Sequence, residues 1–218
     1  MESGRVRIIP NAIDLEALRF DGDVRKKTRT ALGIPEDAFV IGHVGRFDEM
    51  KNQKFLVDTL KEINDPRCRL LMVGTGVLKD TVEKQLADYG LSDQAIFAGQ
   101  CEAKHTHELY QAMDAFVFPS LYEGLPGTVI EAQAAGLPCF ISDAVTSEVA
   151  VTELVKKLSL GDASKWVDGV KDCINNSMDR PRAESSDRAI SELKEAGFSV
   201  RDQAAKLTEW YLKLAGRE

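Results

Sequence analysis

The sharpest chemical feature of the chain is Phe118-Pro119-Ser120-Leu121-Tyr122-Glu123-Gly124-Leu125-Pro126-Gly127-Thr128-Val129-Ile130-Glu131-Ala132, where two carboxylates flank a turn and the start of a helix. A strand-like apolar run stops at Pro119, and a helical pattern opens near Thr128 with Glu131 in its first turn. Gly124, Pro126 and Gly127 shape the segment between into a tight, backbone-exposing turn. Ionised carboxylates only accept hydrogen bonds, so Glu123 and Glu131 suit a polyhydroxylated ligand, each taking protons from a vicinal diol. The amides between them suit a phosphate, because a helix start carries unpaired N–H groups and the positive end of the macrodipole. Pro126 has no N–H, which leaves Gly124, Leu125, Gly127 and Thr128 as the useful donors. A second account of Glu131 stands beside this one: Thr128 and Glu131 fit the S/T-x-x-E capping box, in which both side chains satisfy local amides. No Lys or Arg lies between residues 116 and 140, so an ion pair within the segment is excluded.

The second feature, His43-Val44-Gly45-Arg46-Phe47-Asp48-Glu49-Met50-Lys51-Asn52, is a strand end and a glycine turn with two cations before a helix that Asn52 is placed to cap. Such cations are usually just solvated. On the same rim as Glu123, however, Arg46 offers a planar fork and Lys51 a point charge to a pyrophosphate. A third feature, Val73-Gly74-Thr75-Gly76, reads equally as a turn and as a close backbone approach to a ligand. It is not a dinucleotide fingerprint, since Lys79 stands where the third glycine belongs, and no phosphate-loop G-x-x-x-x-G-K-[ST] occurs. Asp21-Gly22-Asp23 mimics a metal-binding D-x-D but reads better as a polar turn opening a helix over residues 24–32. His105 and His107 are two apart and fall on different helix faces, so they make no zinc pair.

These residues need a scaffold, and the apolar pattern supplies one. Short β-branched or aromatic runs at 39–44, 69–73, 95–98, 115–118 and 138–141 alternate with amphipathic stretches at 52–63, 78–89, 106–113 and 128–135. That alternation predicts βαβ units in a doubly wound, Rossmann-like parallel sheet, with the ligand crevice beyond the carboxyl ends of the strands. The last quarter reads as helices over 163–175, 187–196 and 200–214, with 176–187 a polar loop. The apolar stripe of the final helix is narrow.

With 218 residues, 44% hydrophobic, the chain can bury one ordinary α/β core, and no apolar run is long enough to span a bilayer. A net charge of −7 argues against a nucleic-acid surface. Met1-Glu2-Ser3-Gly4 has neither the basic start nor the apolar core of an export signal, so a cytoplasmic location is expected. Cys68, Cys101, Cys139 and Cys173 are too far apart for zinc spacing or a dense disulfide framework.

Gly45-Arg46 with Lys51, the Val73 to Gly76 turn, Phe97-Ala98-Gly99, and the Glu123 and Glu131 pair within Pro119-Ser120-x-x-Glu-Gly-Leu-Pro together resemble one family. The chain looks like the carboxy-terminal domain of the GT-B glycosyltransferases of family four, in particular those building capsular and extracellular polysaccharides. The likeness starts at Arg5-Val6-Arg7-Ile8-Ile9-Pro10-Asn11, similar to the family's interdomain segment, and runs through the final helix.

The resemblance implies a linker over 1–14, a nucleotide-sugar domain over 15–198, and a helix over 199–218 that packs on an amino-terminal acceptor domain missing here. Part of that helix is therefore expected to be exposed or disordered. It also implies that Glu131 holds the ribose, Arg46 and Lys51 the pyrophosphate, and Glu123 the donor sugar. Gly124 and Leu125 would present amides, and Phe97 to Gln100, including Gly99, would line the base. The ligand is expected to be a UDP-sugar used as substrate, with no cofactor and no metal, in a retaining transfer to a glycan or lipid-linked acceptor. A full-length enzyme could then sit peripherally at the inner face of the membrane, while the isolated domain should transfer little or no sugar. A stand-alone nucleotide-sugar-binding module and one half of a sugar-nucleotide epimerase are the alternatives.

Overall fold

A computed structural model of the chain describes residues 11–176 and 181–215. Most of the expected linker over 1–14 lies outside the described residues. In chain order the elements are α1 (Gly22–Ala31), β1 (Phe39–Val44), α2 (Gln53–Ile63), β2 (Cys68–Val73), α3 (Lys79–Asp88), β3 (Ala95–Gly99), α4 (Ala103–Ala112), β4 (Ala115–Phe118), α5 (Gly127–Ala134), β5 (Cys139–Ser142), β6 (Val155–Leu158), α6 (Ala163–Asn175), α7 (Arg182–Glu195) and α8 (Val200–Leu214).

The six strands form one parallel sheet in the order β3-β2-β1-β4-β5-β6. Parallel neighbours cannot be joined by hairpins, which is why nearly every strand is followed by a helix. Buried on both faces, the inner strands need continuous apolar runs, and Phe39-Val40-Ile41 and Leu70-Leu71-Met72-Val73 supply them. On one face α4, α5 and α7 close over Tyr110, Phe116, Phe118, Ile130 and Leu193. On the other, α2, α3 and α6 close over Leu56, Leu60, Met72, Val82 and Trp166. A Cβ at Gly42 would lie 2.0 Å from Met113 Sδ, so this glycine lets the end of α4 press onto β1.

Several boundaries differ from the sequence expectation. β6 was not anticipated because Lys156 and Lys157 interrupt its apolar pattern. At the sheet edge that composition is admissible, and Lys157 Nζ donates to Val145 O at 2.7 Å. α7 begins at Arg182, inside the expected loop over 176–187. The half-buried Arg182 guanidinium donates to the carbonyls of Tyr110, Met113 and Ala135 at 2.7, 2.6 and 2.9 Å, occupying acceptors at the ends of α4 and α5. α1 opens at Gly22, where Asp21 caps it by accepting from the Asp23 and Val24 amides. α4 starts at Ala103, ahead of the expected residue 106. α8 has no buried residue, and part of it was expected to be exposed. Its foot is held by a parallel bridge between Ile13 and Ser199.

Candidate functional site

The strand order reverses between β1 and β4, the switch point beyond whose strand ends open parallel sheets hold their ligand crevice. The β1 loop carries Arg46 and Lys51, and the β4 loop carries Glu123. They meet across this crevice: Lys51 Nζ donates to Glu123 Oε1 at 2.5 Å, spanning 72 residues of sequence. Both side chains are shielded, at 17% and 19% exposure. Lys51 Nζ also lies 4.7 Å from the Phe118 ring centroid, a cation–π contact that holds it over the end of β4. No cation inside the β4 segment was available to Glu123, and the tertiary fold brings one from β1.

The β1 loop is tied on both sides. Asp48 accepts from the Lys51 amide at 3.1 Å, and the Leu121 amide donates to Met50 O at 2.8 Å. Asn52 sits at the start of α2 in a left-handed conformation (φ 54°), but its side chain makes no cap bond. Its amide donates instead to Pro119 O at 3.2 Å, stitching the β1 and β4 loops together. Phe47 is fully buried and anchors the turn, while Arg46 stays exposed with no ion pair among the described residues.

Gly74 and Gly76 serve this same loop. A Cβ at Gly74 (φ 133°) would fall 2.1 Å from Gly45 O, and one at Gly76 would fall 2.3 Å from Phe47 O. The backbone that approaches these glycines closely is the chain's own β1 loop, a reason for them apart from either a turn or contact with a ligand. Gly74 also donates to Gly99 O at 2.7 Å. Gly99 adopts φ 70°, which turns the chain out of β3 toward the exposed Gln100.

His43 lies beneath the loop and was not anticipated. It is fully buried, and burial lowers its pKa to about 4, so the ring is neutral. Its Nδ1 is 3.0 Å from Val117 O, a pure acceptor, so the proton is on Nδ1 and donates there. Gln53 Nε2 approaches His43 Nε2 at 3.4 Å and donates to Arg46 O at 2.7 Å, fixing the backbone that carries Arg46. Nothing in the local pattern distinguishes this histidine from any core residue of β1.

At Glu131 the structure corrects the capping-box reading. α5 begins at Gly127 behind Pro126, without a side-chain cap bond, so Thr128 is inside the helix. Thr128 Oγ1 is buried without a hydrogen-bond partner, and Glu131 accepts instead from the Tyr110 hydroxyl, at 2.8 Å. The amides of Gly127 and Thr128 occupy the first two helical positions, where N–H groups have no intrahelical acceptor. Before them, Gly124 is exposed with open space around it, and Leu125 packs on the core and fixes the turn.

The structure brings Lys51 and Glu123 together, leaves Arg46 exposed on the loop that carries Lys51, and holds Glu131 on α5 through Tyr110, with the neutral His43 beneath the β1 loop. These features define a Rossmann-like α/β domain with a polar crevice at its topological switch point. The chain belongs to the glycosyl transferases group 1 family, which matches residues 24–192.

Among its relatives, the glycosyltransferase-family protein EpsF of Bacillus subtilis (strain 168) is 36% identical over 215 residues, covering 97% of this chain and 54% of EpsF. The UDP-Gal:alpha-D-GlcNAc-diphosphoundecaprenol alpha-1,3-galactosyltransferase of Escherichia coli is 31% identical over 147 residues, 64% of this chain and 37% of that enzyme. The crystal structure of Anabaena HepE in complex with UDP shares the fold, with a TM-score of 0.79 at 21% identity over 95% of this chain and 57% of that one. The chain spans about half the length of EpsF (54%).

Proposed function

We propose that this domain binds the nucleotide-sugar donor of a retaining glycosyltransferase, a UDP-sugar, for transfer to a glycan or lipid-linked acceptor in surface polysaccharide synthesis. The observation that carries the reading is the meeting of Lys51 and Glu123 at 2.5 Å across the switch point. Arg46 and Lys51 take the diphosphate, assisted by the amides of Gly124, Leu125, Gly127 and Thr128. Glu131 takes the ribose hydroxyls and Glu123 those of the sugar. Gly99 and Gln100 border the base, while Gly74 and Gly76 act indirectly by holding the Arg46 loop in place.

On departure of the diphosphate, negative charge grows on the oxygen leaving the sugar. Fixed cations and helix-start dipoles stabilise that charge without reorganising, so the reading needs no metal ion. The acceptor belongs to a second domain of a full-length enzyme. The UDP and UDP-glucose complexes of the Anabaena neighbour support the ligand class.

Calorimetry with UDP, GDP and ADP in the presence of EDTA tests ligand, base and metal together, with UDP expected to bind and the others to bind less well. Arg46→Ala should weaken UDP by about 2 kcal/mol, roughly 30-fold, as removal of a charge contact does, with the melting temperature unchanged because the side chain is exposed. Equal UDP affinity in wild type and variant removes Arg46 from the site.

A further inference from the structure

Tyr110, near the end of α4, is fully buried, and its ring packs against Phe116 at 5.9 Å and 55°. Its hydroxyl reaches Glu131 Oε2 at 2.8 Å and Thr128 O at 3.3 Å. A phenol has one proton to give, and the shorter contact, to the charged acceptor, takes it. Burial first, then the Glu131 carboxylate, raises the Tyr110 pKa well above the ordinary phenol value, so the proton stays on tyrosine and the direction of the bond is set.

The carboxylate is otherwise poorly served. Among the described residues Glu131 has no ion pair, and the tyrosine hydroxyl is its one side-chain donor. A half-buried carboxylate with two oxygens and a single donor has acceptor capacity left for a ligand. The bond also removes rotamer freedom from a glutamate that would otherwise lose it on binding.

We propose that Tyr110 is a positioning residue for the nucleoside: its buried hydroxyl holds Glu131 Oε2 and thereby presents Oε1 to the vicinal diol of the ribose. The inference rests on the reading of Glu131 as the ribose ligand and adds the element that sets its geometry. An ordinary buried phenol needs a partner too, but the carbonyl of Thr128 would satisfy it. Giving the proton to the half-buried carboxylate on α5 ties a core residue to the proposed ribose ligand.

The test is Tyr110→Phe, which deletes one atom and keeps the ring in place. UDP and 2′,3′-dideoxy-UDP are titrated by calorimetry into the wild type, Tyr110→Phe and Glu131→Gln. Wild type should prefer UDP. Tyr110→Phe should weaken UDP about 10- to 150-fold, the range for a hydrogen bond to a charged group, and leave the dideoxy analogue unchanged. Glu131→Gln should also lose discrimination between the two ligands.

A Tyr110→Phe protein that discriminates as well as wild type, while Glu131→Gln does not, overturns the role of Tyr110 and leaves Glu131 in the ribose site. Equal weakening of both ligands in Tyr110→Phe shows a packing role only and also overturns it. A wild type indifferent to the ribose hydroxyls removes Glu131 from the ribose site, and the role of Tyr110 with it.

Discussion

Glu123→Gln isolates the ion pair at the switch point, and its expected effects run in opposite directions. In the wild type Glu123 neutralises the ammonium assigned to the diphosphate and itself repels that anion. With Nζ and Oε1 2.5 Å apart, a phosphate seated on Lys51 lies about 5 Å from the carboxylate. At that separation two unit charges repel by about 3 kcal/mol at an effective dielectric of about 20, and by about 1 kcal/mol near the value for bulk water. Removing the repulsion should therefore tighten UDP binding by about 1 to 3 kcal/mol, roughly 5- to 150-fold.

A UDP-sugar should gain less, because the neutral amide is a weaker acceptor for sugar hydroxyls, so the ratio of UDP-sugar to UDP affinity falls. Stability should move the other way. At 17% and 19% exposure the pair lies between the surface and buried cases, and loss of one partner costs about 1 to 3 kcal/mol. Calorimetry with both ligands reads the first effect and urea denaturation the second. UDP affinity that stays level or weakens in Glu123→Gln, alongside the expected loss of stability, would refute the placement of the diphosphate on Lys51.

Two further outcomes are expected. Gly74→Ala sets a Cβ 2.1 Å from Gly45 O in a conformation with φ 133°, and neither backbone can retreat. It should lower stability by about 2 to 4 kcal/mol and weaken UDP by moving the Arg46 loop, and an unchanged urea midpoint would show that the two loops are not locked together. For His43, burial lowers the pKa from 6.5 to about 4, so on acidification the unfolded chain takes up a proton first. The contribution of this group to stability is whole above pH 6.5 and drains away as the pH falls to about 4, a loss of about 3 kcal/mol. His43→Gln should flatten that limb of the stability profile, and equal slopes in variant and wild type would place the acid sensitivity elsewhere.

Strands β1, β2, β4 and β5 were legible because inner parallel strands need uninterrupted apolar runs, a property of neighbouring residues, and the edge strand β3 because Ala95-Ile96-Phe97-Ala98 keeps such a run. The Asp21 turn into α1 and the loops after β1 and β4 that carry Arg46, Lys51 and Glu123 were legible for the same reason: caps, turns and strand ends are written within a few positions. What each polar group pairs with was not. The proposed ribose ligand fits a capping box from its own four residues, yet it accepts from Tyr110, 21 residues away. The partner of Glu123 lies 72 residues off on another loop, and Gly74 and Gly76 are explained only by the backbone pressed against them. β6 and the early start of α7 were hidden likewise, since Lys157 and the half-buried Arg182 make sense only beside the carbonyls they meet. Hydrophobic burial has no direction and repeats with the period of the element, so the sequence alone determined the layers of the fold. Hydrogen bonds and ion pairs are directional and short-ranged, so only the tertiary structure decided the partners of this site.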